Sequence, residues 1–207
     1  DLHPRVRRQR QMCIRDSKRT MTNKLLFLVL LALCFSGCDM LETHPYDVHI
    51  TGERELNNKN IQLIENKMQG KKTIRFAMIS DTQRWYNSTE DVVKALNARG
   101  DIDFVIHGGD QSDFGVTKEF IWMRDIFNKF QMPYVCLLGN HDCLGTGEDA
   151  YRAIYGDPNF AFTAGNVRFI CLNTNAMEYD YSEPVPDFNF IENELNNLSP
   201  EIEKTVY

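Results

Sequence analysis

Apolar residues in this chain fall alternately into short unbroken runs and helical stripes, most regularly from residue 73 onward. Thr73 to Ile79 (TIRFAMI), Asp103 to His107 (DFVIH) and Pro133 to Leu138 (PYVCLL) are apolar runs of strand length. The segments between them are more polar, with apolar residues three and four apart. Ser88-Thr89-Glu90-Asp91 reads as a capping box that opens a helix, and Arg99-Gly100 closes it. Thr117 reads as the cap of the next helix, whose Phe120, Met123, Phe127 and Phe130 share one face and predict core. Strand and helix in alternation predict an α/β sheet with crossover helices.

The character changes towards the C-terminus. Glu148 to Tyr155 predicts a short helix, and the runs FAFT and VRFICL flank Ala164-Gly165-Asn166 as a hairpin. Asp187 is expected to cap a last helix with Phe188, Ile191, Leu195 and Leu198 on one side. Thr205-Val206-Tyr207 reads as a strand cut short, so the C-terminal part of the domain is expected to be missing. Four regions follow: a leader over 1–20, a signal over 21–38, a tether and N-terminal extension over 39–72, and the main domain over 73–207. In the extension, Ile61, Ile64 and Met68 predict a helix across 57–68. His44 and His49 are expected at the surface.

Composition changes the picture at the N-terminus. Residues 1–20 hold seven Lys/Arg against two Asp/Glu with no apolar period, and read as upstream or vector-derived material outside the fold. Met21 begins a secretory pattern: Lys24, the apolar run Leu25 to Phe35, then Ser36-Gly37-Cys38. The run is shorter than the roughly 20 residues a membrane-spanning helix needs. Its end resembles a bacterial lipobox, with Phe35 where Leu is usual, so Cys38 is the expected lipidation site. That predicts a chain in the bacterial cell envelope, lipid-anchored and facing the periplasm or exterior. The full chain carries a net charge of −6. Without its first 37 residues it keeps 15 basic and 27 acidic residues, a net −12. That charge argues against nucleic acid as a partner. Cys136, Cys143 and Cys171 have no metal-type spacing; Cys136 and Cys171 are expected as buried thiols, with a disulfide as the alternative.

The candidate chemistry sits where the three apolar runs end. Ile79-Ser80-Asp81-Thr82-Gln83, Gly108-Gly109-Asp110 and Gly139-Asn140-His141-Asp142 place Asp81, Asp110 and Asn140 at successive spacings of 29 and 30 residues. Ligand sites of open α/β sheets form beyond the carboxyl ends of strands. Two carboxylates and an amide oxygen there suit a two-cation site that binds phosphate and activates water. His107, inside a strand, reads as a satisfied core histidine, and Asn173 and Asn175 as turn formers. Arg84, Trp85 and Tyr86 either line a cleft or form an ordinary exposed loop. Gly145-Thr146-Gly147 reads as a plain turn, with phosphate approach as the alternative.

With Gly109-Asp110-Gln111-Ser112-Asp113 and Gly139-Asn140-His141-Asp142, the chain resembles the calcineurin-like metallophosphoesterases from about Ile74 to Tyr207. The resemblance implies a sandwich of two mixed β-sheets flanked by helices. It also implies two divalent metal ions: Asp81 and Gln83 on the first, Asp110 bridging, Asn140 on the second. His141 would donate to the phosphate or leaving oxygen, Asp142 would orient its ring, and Asp113 would stand behind the ligands. The family has a His at position 83, so an amide here favours Mn²⁺ or Mg²⁺ over Zn²⁺. No His follows His141, so the family's later histidine motifs are absent and turnover by this chain is expected to be low. The implied function is metal-dependent hydrolysis of a phosphate ester, on a small molecule or a lipid. The alternatives are a non-catalytic metal or phosphate-ligand binding protein marked by Gln83, and a nuclease.

Overall fold

The computed structural model describes residues 26–29, 44–175 and 186–207. The chain divides into two compact units, 1–43 and 44–207. In the first, Leu26 to Val29 are helical, inside the expected signal run; Cys38 lies outside the described residues. Among the described residues no helix is long and apolar enough to cross a membrane.

The second unit begins with a packed strap. Residues 44 to 54 carry few apolar side chains, yet Ile50 is buried in the core. The buried Arg124 guanidinium donates to the carbonyls of Thr51 (2.5 Å) and Glu53 (3.3 Å). Thr117 Oγ1 donates to the Asp47 carbonyl at 3.0 Å. From residue 44 onward the expected tether is therefore part of the domain. Helix α1 (Leu56–Met68) follows, burying Leu56, Ile64 and Met68.

Three β-strands then alternate with two helices: β1 (Phe76–Ile79), α2 (Tyr86–Arg99), β2 (Phe104–His107), α3 (Thr117–Phe127) and β3 (Tyr134–Cys136). The strands form a parallel sheet in the order β1-β2-β3, pairing Ile79 with His107 and His107 with Cys136. Gly100 ends α2 at φ 68, the left-handed turn that glycine accepts without a Cβ clash. The start of α2 differs from the expected capping box. Trp85 N–H donates to Thr82 O at 3.1 Å, which turns the chain into a helix already at Tyr86. Ser88 and Thr89 thus lie within the first turn, and Thr89 Oγ1 bonds back to the Trp85 carbonyl. Helix α3 also begins without a threonine cap, because the Thr117 hydroxyl is bound to Asp47. Instead Glu119 accepts the backbone N–H groups of Asp113, Phe114 and Val116.

A short 3₁₀ turn (His141–Cys143) leads to α4 (Gly147–Tyr155), the hairpin β4 (Phe160–Ala164) and β5 (Val167–Cys171), α5 (Phe188–Asn196) and β6 (Lys204–Val206). β4 and β5 pair antiparallel and β6 adds parallel to β5. Asp187 caps α5 as expected, accepting from Phe190 N–H. Its apolar side is covered only in part among the described residues: Ile191 is half-buried, while Phe188 is 62% exposed.

The first sheet has a helix layer on one face and the second sheet on the other. Val105, Tyr134 and Cys136 pack with Phe120, Met123, Phe127, Tyr151 and Tyr155. Phe104, Ile106 and Val135 pack with Phe160, Phe162 and Phe169. The architecture is the expected α/β sandwich, with one difference: the first sheet is wholly parallel and only the second is mixed. β3 is closed on its outer edge by a side chain. Asn57 accepts the Cys136 N–H (2.9 Å) and donates to the Cys136 carbonyl (2.8 Å), as a neighbouring strand would.

Candidate metal centre

Parallel strands all end on the same side, so the loops after β1, β2 and β3 meet at one edge of the sheet. Loops one and two are zipped together by Asp81 N–H to Gly109 O (3.1 Å) and Gln83 N–H to Asp110 O (3.2 Å). Loops two and three touch through glycines. A Cβ on Gly109, whose φ is +109, would stand 2.7 Å from Gly139 Cα, and one on Gly139 would collide with the Asp110 carboxylate. Asp81 and Asp110 both adopt left-handed backbone, φ 57 and 62. Such strain in two non-glycine residues is held only where surrounding bonds enforce it.

At Asp81 the bond to Gly109 O enforces it, and at Asp110 the enforcing bond comes from Asp142. Its fully buried carboxylate accepts the N–H groups of Asp110, Gln111, Ser112 and Gly139, and the Ser112 hydroxyl, at 2.8 to 3.1 Å. Burial pushes its pKa up to about 6, against the bonds from Ser112 and Gly139 that favour the charged form. The expectation that Asp142 orients the His141 ring is therefore corrected. Its acceptor sites are taken by the backbone of loops two and three.

Asp113 stands behind His141 instead. His141 Nδ1 lies 3.0 Å from the Asp113 carbonyl and 3.8 Å from its Oδ1. A carbonyl only accepts, so Nδ1 carries the proton and Nε2 is the ring's other titrating atom. The Asp113 carbonyl bond raises the ring's pKa, opposed by partial desolvation and helped by the Asp110 and Asp113 charges. The backbone N–H of His141 donates to Asp110 Oδ1 at 3.0 Å. His141 is thus tied to loop two through both its ring and its backbone.

His107 is buried and clamps the first two loops. Its Nδ1 accepts the Gly109 N–H (3.2 Å), which leaves Nε2–H to donate to Thr82 Oγ1 at 2.9 Å. Desolvation lowers its pKa to about 3, so the ring is neutral. Asn175 donates to the Leu138 carbonyl at 2.9 Å and joins the second sheet's exit to loop three. The Asn57 edge cap, the Asn175 bridge and the bond of the Asp113 carbonyl to the His141 ring were not legible from sequence, because each bonds across tens of residues.

Asp81 and Asn140 are exposed, Asp110 is buried and Gln83 is half-buried. The buried Gln83 Oε1 has no hydrogen-bond partner. A buried acceptor without a donor is costly, and a cation would satisfy it. Among the described residues no group of three or more His, Cys, Asp or Glu is placed to hold a metal ion. The donors here are two carboxylates and two amides, a hard oxygen set that fits Mg²⁺ or Mn²⁺. Two carboxylates balance half the charge of two divalent ions, leaving positive charge for an anion.

Fold and site together define an α/β sandwich with hard oxygen donors gathered on the loops at its strand ends. Residues 74–201 match the family model of the calcineurin-like phosphoesterases, and the chain belongs to that family. Among solved structures it is similar to a purple acid phosphatase isolated from yellow lupin (Lupinus luteus) seeds. The two are 17% identical with a TM-score of 0.50 over 66% of this chain and 30% of that one. At this identity the likeness is one of fold, and the chain spans under a third of that phosphatase's length. No curated protein matches the chain.

Proposed function

We propose that this face hydrolyses a phosphate ester with two divalent cations, Mn²⁺ or Mg²⁺. Asp81 and Gln83 would hold one ion, Asn140 the other, and Asp110 both. Bound there, the cations supply the charge that grips a phosphoryl group and lowers the pKa of water. The chain's own part is positional and protonic. Asp142 holds loops two and three in register, and Asp113 keeps the proton on His141 Nδ1. When the ring is charged, Nε2–H can donate to the phosphate or leaving oxygen. The proposal extends to a lipid anchor at Cys38 and to a phosphorylated small molecule or lipid as substrate, on the sequence pattern alone.

The observation that carries the reading is the orphaned Gln83 Oε1 beside the Asp81 and Asp110 loops. Titration calorimetry with Mn²⁺ and Zn²⁺ tests it. Wild type should bind Mn²⁺, Asp110→Asn should lose it, and Gln83→His should tighten Zn²⁺ on the order of tenfold. Unchanged Zn²⁺ affinity in Gln83→His would show that residue 83 does not touch the metal. Gln83, where the family has His, favours a second reading, a binding protein on the same scaffold. Turnover by this chain is expected to be low with only these donors. Cation binding without hydrolysis of p-nitrophenyl phosphate or bis(p-nitrophenyl) phosphate, even by a longer chain, would favour that second reading.

A further inference from the structure

Arg84 is the residue of the first loop that the mechanism above leaves unused. Its φ is 67, in the left-handed region, which costs a non-glycine residue about 1–2 kcal/mol. Its Nη2 donates to Asp113 Oδ1. The Arg84 side chain remains 64% exposed while that of Asp113 is 6% exposed. The turn closed by Trp85 N–H to Thr82 O sets that backbone conformation, and the ion pair with Asp113 leaves most of the guanidinium open to solvent.

The position supplies the function. Arg84 follows Gln83 directly, and the carboxylate it binds lies 3.8 Å from His141 Nδ1. A guanidinium has five N–H donors in a planar fork matched to phosphate oxygens, and it stays charged at any working pH. The chain as a whole is acidic, at −6, so a local cation matters to an incoming anion.

We propose that Arg84 counts the terminal oxygens of the bound phosphoryl group and so selects phosphate monoesters over diesters. This rests on the two-cation reading above. A diester has two terminal oxygens, both of which the bound cations would polarise. A monoester has a third, and with it a second negative charge, left for the Arg84 fork. Selectivity then comes from a bond that only the monoester completes.

The test uses the full chain loaded with Mn²⁺ and two inert probes whose P–C bonds resist hydrolysis. Methylphosphonate, held at a pH where it is a dianion, offers three terminal oxygens; dimethylphosphinate offers two. Calorimetry on wild type, Arg84→Gln and Arg84→Lys reads the affinity of each probe, and Mn²⁺ affinity separately. The expected result is that Arg84→Gln weakens methylphosphonate about tenfold and dimethylphosphinate less than about twofold. Arg84→Lys falls between, and Mn²⁺ affinity stays level. Equal losses for both probes, or none, with Mn²⁺ still bound, overturn the selectivity role and leave the metal reading standing. Failure of wild type to bind Mn²⁺ removes both.

Discussion

Asp142 adjoins His141 in the chain, yet its carboxylate faces the backbone of loops two and three and not the imidazole. At the scale of single residues, chemistry here is set by what a side chain meets, which neighbours in sequence do not reveal. His107 makes the same point through its proton. Its pKa falls from 6.5 to about 3 in the folded protein, so below pH 6.5 the unfolded chain gains a proton that the folded chain refuses. Its contribution to stability is therefore present above pH 6.5 and is lost as the pH falls towards 3. From pH 7.5 to 5 the loss should be about 2 kcal/mol. Urea unfolding at those two pH values should show a smaller drop for His107→Gln than for wild type. An identical drop would mean that His107 is not the group responsible.

Among the elements, β3 depends on a substitute for a strand. Asn57 on α1 is buried and satisfies both the N–H and the carbonyl of Cys136. Asn57→Ala leaves the Cys136 N–H unpaired, while the carbonyl keeps the Tyr151 hydroxyl, and should destabilise by about 1–3 kcal/mol. Leu195→Ala on α5, 39% exposed at the start, should change stability by under about 0.5 kcal/mol. Comparable denaturation midpoints for the two variants would refute the assignment of Asn57 as the edge cap. The contrast also marks where amphipathic pattern misleads. The stripe on α3 is core, while none of the similar stripe on α5 is fully buried among the described residues.

For the whole molecule, two observations set the outline: the sandwich is built from both sheets, and residues 44–54 are strapped onto it. Phe104, Phe162 and Phe169 form the shared aromatic centre, with ring centroids 4.9 to 5.7 Å apart. The strap hangs on Arg124, Thr117 and Ile50, and Thr146 Oγ1 donates to the Tyr46 carbonyl. Arg124→Met removes the donors to Thr51 and Glu53. It should make Tyr46 a chymotrypsin site while the domain core stays resistant. Equal cleavage rates in wild type and variant would show that Arg124 does not hold the strap.

Much of this protein is written locally. The three apolar runs became the three parallel strands: β2 and β3 are buried on both faces as such runs require, while β1 keeps Met78 68% exposed. The Phe120-Met123-Phe127 stripe, the Gly165 hairpin and the Asp187 cap are equally short-range, each decided within a turn or two of chain. The loops that carry Asp81, Asp110 and Asn140 meet because neighbouring parallel strands end on one side. Tertiary structure decided everything that depends on a distant partner. It gave the Asp142 carboxylate to loops two and three and the His141 ring to Asp113, and it drew Thr117 away from its helix to Asp47. It also turned a polar, unpatterned stretch into a strap held by a buried arginine. A hydrogen bond across 28 or 73 residues leaves no periodic trace in sequence, since any polar side chain can make it and only the fold brings the two ends together.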